Sequence, residues 1–314
     1  MTKQLSRWMA DLPPEVTSRP LWSLKIPGSH DSGANQDLDT KLPVANDEPN
    51  SIRVLGIAPC VKSGIKRWAV TQSYSIREQL DNGIRYLDLR VSYPPQNTRA
   101  DDADFRLVHA LYGITLRKGL EEVIGFLEEN KKEVVILDVN HVFDFEEETF
   151  KTLEKEAVKT LGEARMCPFP QVRPVTLDFM WINCYSVIIF SPRTQPGASP
   201  MWPRCLISSP WPNTSNIDVL LRTLQSDLES RTGDGMNAFF VSQGVCTPQN
   251  KDVFRHWFSS LRNSFSIHCT KEVLQWLSDL SDENKEKVNI VILDFVNEES
   301  SQAVISLNTT SIRK

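Results

Sequence analysis

No stretch of the 314 residues approaches the roughly 18 consecutive apolar residues of a membrane-spanning helix, and Met1 to Met9 lack the apolar core of a secretory signal. Lys and Arg form no block and the formal net charge is −5, which argues against nucleic acid as the main partner. Cys60, Cys167, Cys184, Cys205, Cys246 and Cys269 are scattered with no C-x-x-C pair. That excludes zinc-finger spacing and a disulfide framework; the cysteines read as reduced, mostly buried thiols of a cytosolic or nuclear protein. No composition break or linker divides the chain. What is present is 40% hydrophobic and 24% charged residues, the balance of a globular protein with a substantial core.

Residues 1–20 read as an amphipathic lead-in broken by Pro13, Pro14 and Pro20, and residues 21–310 as a single domain. An apolar strand, Leu21 to Ile26, runs into Pro27 and Gly28, which are expected to end it in a turn carrying Ser29-His30-Asp31-Ser32. A polar stretch, roughly 32–62, reads as a long active-site loop. The segment Ile65 to Asn82 turns helical towards its end, with Ser75-x-x-Glu78 as a capping box and Gly83 as the stop. Strands follow at Ile84–Val91, Phe105–His109, Glu133–Val139, Ser186–Phe190, weakly at Cys205–Ser208, and at Ala238–Ser242 and Asn289–Phe295. Between them, Leu116, Leu120, Val123, Ile124 and Leu127 mark one helical face, and Asp144-x-x-Glu147 is expected to cap a helix that stops at Gly162. Further helices are expected at 177–183, 215–230, 250–262, 271–280 and 300–307. Pro192, Pro196, Pro200 and Pro203 leave no room for a helix between the fifth and sixth strands.

Eight strands mostly separated by helices predict an α/β fold, an irregular (β/α)8 TIM-type barrel with one helix missing between strands five and six. A doubly wound open sheet competes with it on periodicity alone. The polar residues favour the barrel because they fall at strand ends, where such folds carry their active sites. His30 follows strand one, Asp88 and Arg90 share a face at the end of strand two, and His109 ends strand three. Asp138 and Asn140 end strand four and Asp294 ends strand eight. Each has a plain reading: Asp88 and Arg90 as a buried ion pair, His109 as a core histidine, Asp138 as a strand-end or capping residue. His141, His256 and His268 read as surface histidines. Together, two histidines, an arginine and several carboxylates on one rim suit acid–base chemistry on an anionic substrate.

The segments Ile26 to Ser32, Gly83 to Arg90 and Val108-His109 resemble the X domain of phosphatidylinositol-specific phospholipase C. Trp68 to Gln72, Glu133 to Asp138, Met166-Cys167-Pro168, Trp202-Pro203, Pro210 to Thr214 and Asp294-Phe295-Val296 extend the likeness. Over residues 8–308 the chain resembles the small eukaryotic X-domain proteins that lack PH, EF-hand, Y and C2 modules. The resemblance implies an irregular TIM barrel that cleaves an inositol phospholipid to diacylglycerol and a cyclic inositol phosphate. It implies His30 as general base, oriented by Asp294, and His109 as general acid, working with Asp31. Arg90, with Asp88 beside it, would neutralise phosphoryl charge where the large eukaryotic enzymes use calcium. The arginine at that position predicts calcium independence and no cofactor. Asn140 stands where relatives carry lysine or glutamate, and Arg193 and Trp211 are candidate substrate contacts. Trp202, Pro203, Pro210, Trp211 and Pro212 are expected to make transient contact with a bilayer, or else to pack beneath the loops. The competing classes are a metal-dependent glycerophosphodiesterase and a non-catalytic lipid-binding or signalling module.

Overall fold

The computed structural model describes residues 4–56, 58–99, 104–143, 145–169, 174–194 and 199–310. Ten strands form along them: β1 (Ile26–Ser29), β2 (Tyr86–Ser92), β3 (Arg106–His109), β4 (Leu111–Thr115), β5 (Val135–Phe143), β6 (Val187–Ser191), β7 (Trp202–Pro203), β8 (Ile207–Ser208), β9 (Phe239–Gln243) and β10 (Ile290–Leu293). Eight are parallel and curl into an irregular TIM-type barrel in the order β7-β6-β5-β2-β1-β10-β9-β8. No pairing joins β7 to β8 among the described residues, so the barrel is open there. Between β6 and β8 the described residues hold no α-helix, as the prolines require.

Strand periodicity sets the layers. Ile26, Tyr86, Ile136, Ile188, Phe190, Ile290 and Ile292 point into the barrel and pack with Trp202 and Phe239. Their alternates, Leu87, Leu89, Val135, Leu137, Ile189, Val291 and Leu293, face outward under the helices. The helix Leu116–Glu129 buries Leu116, Leu120, Val123 and Leu127 as the spacing predicts. The helix Ile76–Asp81 carries the expected capping box, with Ser75 accepting from the Glu78 N–H and Glu78 accepting in return from the Ser75 N–H. Gly83, at φ +101°, makes the stop that other residues resist.

Several expectations change. The Leu21–Ile26 strand is a short 3₁₀ turn at Leu21–Ser23, and β1 contains Pro27 and Gly28 rather than ending at them. Pro27 is tolerated because pairing to β2 starts only at Gly28, opposite Tyr86; its carbonyl still accepts the Arg85 N–H. Gly28 is needed there because a Cβ would lie 2.9 Å from Ile292 and Tyr86. The 32–62 loop holds a helix at Asn50–Leu55 and the start of another at Pro59–Ala69. The third expected strand is not a barrel stave: β3 turns back through β4 as an antiparallel hairpin on the outer end of β2, and β2 pairs directly with β5. The eighth stave is instead Trp202–Pro203, at the edge beside β6, whose two residues are too few to read as a strand. Asp144 lies outside the described residues, and the helix it was expected to cap is Glu147–Leu161, preceded by Glu146. The last helix is longer than expected, Glu298–Thr310, and the 250–262 helix is cut short at Asn250–Arg255.

The lead-in closes the N-terminal end of the barrel. Trp8 donates to the Gly83 carbonyl, and the Met9 and Ala10 N–H groups donate to Glu133. Glu133 is paired with Arg85, buried beneath the barrel and stacked 4.6 Å over Phe126. The six cysteines are free thiols, but only Cys167, Cys246 and Cys269 are buried; Cys60, Cys184 and Cys205 are exposed. No helix among the described residues is long and apolar enough to cross a membrane.

Candidate active site

The inward-facing positions of the staves, followed past their C-terminal ends, lead to the polar residues. From Ile26 and Gly28 the same parity reaches His30; from Tyr86 it reaches Asp88 and Arg90; from Ile290 and Ile292 it reaches Asp294. Apolar residues fill the barrel below, so these side chains can meet only at its mouth.

His30 Nδ1 lies 2.8 Å from Asp294 Oδ1, and Ser266 Oγ donates to the other carboxylate oxygen at 3.0 Å. The carboxylate accepts from both, which leaves the proton on Nδ1 and turns Nε2 towards Asp31 and Arg90. Nε2 is 3.4 Å from Asp31 Oδ2 and 3.4 Å from Arg90 Nη2. Arg90 Nε is 2.5 Å from Asp31 Oδ1. His109 reaches the same place from the β3 end: Nδ1 meets the Ala69 carbonyl at 2.7 Å, and Nε2 lies 3.4 Å from Asp31 Oδ2. One buried carboxylate oxygen therefore sits between two imidazoles whose ring centroids are 6.4 Å apart. Asp31 adopts φ +40° and donates its N–H to Asp88 Oδ2 at 3.2 Å, and Asn140 donates to Asp88 Oδ1 at 3.1 Å.

Charge follows this geometry. Burial pushes the His30 imidazolium towards losing its proton, but the Asp31 and Asp294 carboxylates overcome it and raise the pKa to about 9. Burial likewise opposes the Asp31 anion, and Arg90, His30 and His109 outweigh it, so Asp31 titrates below the usual carboxylate range. The His30 shift makes stability depend on pH. A pKa raised from 6.5 to about 9 on folding adds stability that is fully present below pH 6.5 and is lost as pH rises through about 9. At about 1.36 kcal/mol per pH unit, the contribution is roughly 3 kcal/mol. Urea denaturation at pH 6 and pH 9.5 should show that loss in the wild type, and Asp294→Asn should shrink it by lowering the folded-state pKa.

Two expected contacts are elsewhere. Arg193 donates to the Phe145 carbonyl and lies over the Phe150 ring, on the outer side of the β6 end, so its guanidinium serves packing. Trp202 is 3% exposed, locked among Phe169, Phe190 and Phe239, which removes it from any docking surface. Trp211 is 57% exposed and donates to Thr247.

Relatives with known names match nearly the whole chain. The chain is 36% identical to the PI-PLC X domain-containing protein 2 of Mus musculus, over 96% of this chain and 87% of that one. It is 33% identical to protein 3 of Homo sapiens, over 93% and 90%, and 32% identical to protein 1 of Danio rerio, over 96% of each. The chain belongs to the PI-PLC X domain-containing proteins. No family model matches it. Among solved structures, the phosphatidylinositol-specific phospholipase C of Listeria monocytogenes superposes with a TM-score of 0.68 at 17% identity, covering 97% of this chain and 98% of that one. A phosphatidylinositol-specific phospholipase C of Staphylococcus aureus superposes at 0.66 and 17%, covering 98% of each. At that identity the likeness establishes the barrel.

Three residues take places that their sequence surroundings do not assign them. His141, read as a surface histidine, pairs with Arg90 because a bulge in β5 at Asn140 shifts the register by one; burial and the neighbouring Arg90 guanidinium hold its pKa down. Asp138 lies inside the barrel within β5, accepting from Tyr86 Oη at 2.6 Å and Arg204 Nε at 3.1 Å, so it is neither a strand-end nor a capping group. Burial raises its pKa to about 6. Gln72 ties the two halves of the dyad, donating to the His30 and Leu293 carbonyls and accepting from the Val296 N–H. Gln72 and Asp138 lie in segments that carry the family likeness, but the partners of all three are set by strand register or long-range pairing.

Proposed function

We propose that this protein cleaves the phosphodiester of an inositol phospholipid, releasing diacylglycerol and a cyclic inositol phosphate. The observation that carries the reading is the pair of histidines on one carboxylate, with an arginine in the gap. The inositol 2-hydroxyl gives its proton to His30 Nε2 as its oxygen bonds to the adjacent phosphorus, a tethered attack that needs no second molecule. The bond from phosphorus to the glycerol oxygen breaks, and His109 Nε2 supplies the proton that makes diacylglycerol a stable leaving group. Arg90 presents its free N–H groups to the phosphoryl oxygens as charge grows on them. His30 must be neutral to begin, and with a pKa of about 9 only about one site in a hundred is neutral at pH 7. The reading therefore expects kcat/KM to rise with pH towards 9, and Asp294→Asn to move that limb to lower pH.

A metal is not required in this scheme. His30, Asp31 and Asp88 can bring ligand atoms within 4.8 Å of one another, which is the feature favouring a metal-dependent diesterase instead. Against it, both Asp31 oxygens already face cationic groups, and Arg90 occupies the place where a divalent ion would put its charge. Phosphorus NMR of the protein with phosphatidylinositol vesicles tests both readings at once. A cyclic phosphate resonance growing equally with and without chelator supports the proposal; growth abolished by chelator and restored by calcium supports the metal enzyme; no turnover of any phospholipid supports a binding module.

Access to lipid would use the exposed aromatics that follow the β8 and β9 ends. Phe254 is 87% exposed and Phe258 92% exposed, four residues apart, and the Trp211–Thr247 hydrogen bond ties the two loops together. Burying one such ring in the acyl boundary stabilises binding by roughly 1.5–3 kcal/mol. Phe258→Ser and Trp211→Ala should each weaken vesicle sedimentation about tenfold or more, while hydrolysis of a water-soluble inositol phosphodiester stays within about twofold. Equal losses in both assays would assign these rings to packing.

A further inference from the structure

The β3–β4 hairpin turns on a single residue. His109 pairs with Leu111, and Ala110 between them takes φ +56°, a conformation that a residue with a Cβ resists. The turn points both peptide groups of Ala110 out of the hairpin ladder, so they need partners elsewhere. Both are supplied by one short segment of the chain after β1. The Ala110 carbonyl accepts the Ala45 N–H at 2.8 Å, and the Ala110 N–H donates to Asp47 Oδ2 at 2.7 Å. Val44 bridges to Leu111 beside them.

Asp47 is an expensive choice for that task. Its other oxygen, Oδ1, is buried with no hydrogen-bond partner among the described residues, where Asn would serve as acceptor without burying a charge. Burial raises its pKa above the ordinary value, with Asp31 adding to the rise, although His109, the Ala110 N–H and Arg90 favour the anion. Its bond to Ala110 is one peptide from His109. The imidazole is held at Nδ1 by the Ala69 carbonyl, so the ring has two anchors: that bond and the backbone turn.

We infer that Asp47 is a positioning residue for His109: by holding the left-handed turn at Ala110 it aims Nε2 at the oxygen of the leaving group. The inference rests on the reading of His109 as general acid. Loss of the anchor lets the turn relax and moves the imidazole by a fraction of its reach, and a displacement of about 1 Å at a reacting atom is enough to cost about 10²-fold.

The experiment compares two esters of inositol phosphate, a lipid with its alkyl leaving group and a nitrophenyl ester whose phenolate leaves without a proton. Asp47→Ala should slow the lipid about 10²-fold in kcat at little change in KM, and slow the nitrophenyl ester less than about threefold. Asp47→Asn keeps an acceptor for the Ala110 N–H and should retain both rates within about threefold. Nitrogen NMR of the His109 ring, in the intact protein, should show its resonances displaced in Asp47→Ala and restored in Asp47→Asn. Equal loss on both esters, no loss on either, or an Asn variant as slow as the Ala variant would overturn the role of Asp47. Unmoved His109 resonances in Asp47→Ala would overturn it even if the wild type hydrolyses neither ester. That inactivity, or a His109→Ala variant lacking the difference between esters, would count against the general-acid reading instead.

Discussion

His30→Ala should abolish the cyclic phosphate signal, with kcat falling about 10³-fold or more on the lipid and on an activated aryl ester alike. Both substrates need the inositol hydroxyl deprotonated, so a better leaving group cannot compensate for a missing base. The pattern separates the two histidines: His109→Ala should cost about 10²–10⁴-fold on the lipid and far less on the aryl ester. The His30 variant also removes the proton-linked stabilisation described above. Its denaturation midpoint should therefore be lower than wild type near pH 6 and approach it near pH 9.5, where wild-type His30 has lost its proton. A His30→Ala protein that retains turnover on either ester would remove the base from the mechanism.

Arg90→Ala should lose both activity and stability. The guanidinium is the permanent cation beside the buried Asp31, and burial, which disfavours its charge, is outweighed by Asp31, Asp88, Asp47 and Asp294, so its pKa lies above the ordinary value. Taking it away leaves the buried Asp31 side chain facing only histidines, and removing one partner of a buried pair costs roughly 3 kcal/mol. The phosphoryl oxygens lose their main donor as well, a loss of about 10²–10³-fold in kcat. Arg90→Lys should restore most of the stability and little of the rate, because an ammonium is a single point charge and cannot hold Asp31 and a phosphoryl oxygen in one plane. Thermal denaturation and initial rates, each with and without chelator, check this. Full activity in Arg90→Lys would assign the arginine a structural role alone.

His30, Asp88, Arg90, His109 and Asp294 were legible as candidates because strand ends are marked in the sequence by apolar runs that stop in polar residues. The capping box at Ser75 and the stop at Gly83 were equally legible, since both act within a few residues of the chain. Pro27 and Gly28 misled for the same reason: local rules say that they end a strand, yet the neighbouring strand begins one residue too late to need the missing proline donor.

The sequence by itself determined the alternation of inward and outward residues along β1, β2, β5 and β10, and with it which side chains would reach the mouth of a barrel. That property is local, fixed by a backbone whose side chains point to opposite faces in turn. Tertiary structure decided the rest. It removed β3 from the barrel, added Trp202–Pro203 as a stave beside β6, and brought His141 opposite Arg90 through a bulge at Asn140. It also set Asp31 between two histidines 79 positions apart and delivered Asp47 to the turn beside one of them. Those placements depend on which strands pair and in which register. The pairing minimises exposed apolar surface and unpartnered peptide groups over the whole chain, and no short window of sequence contains that sum.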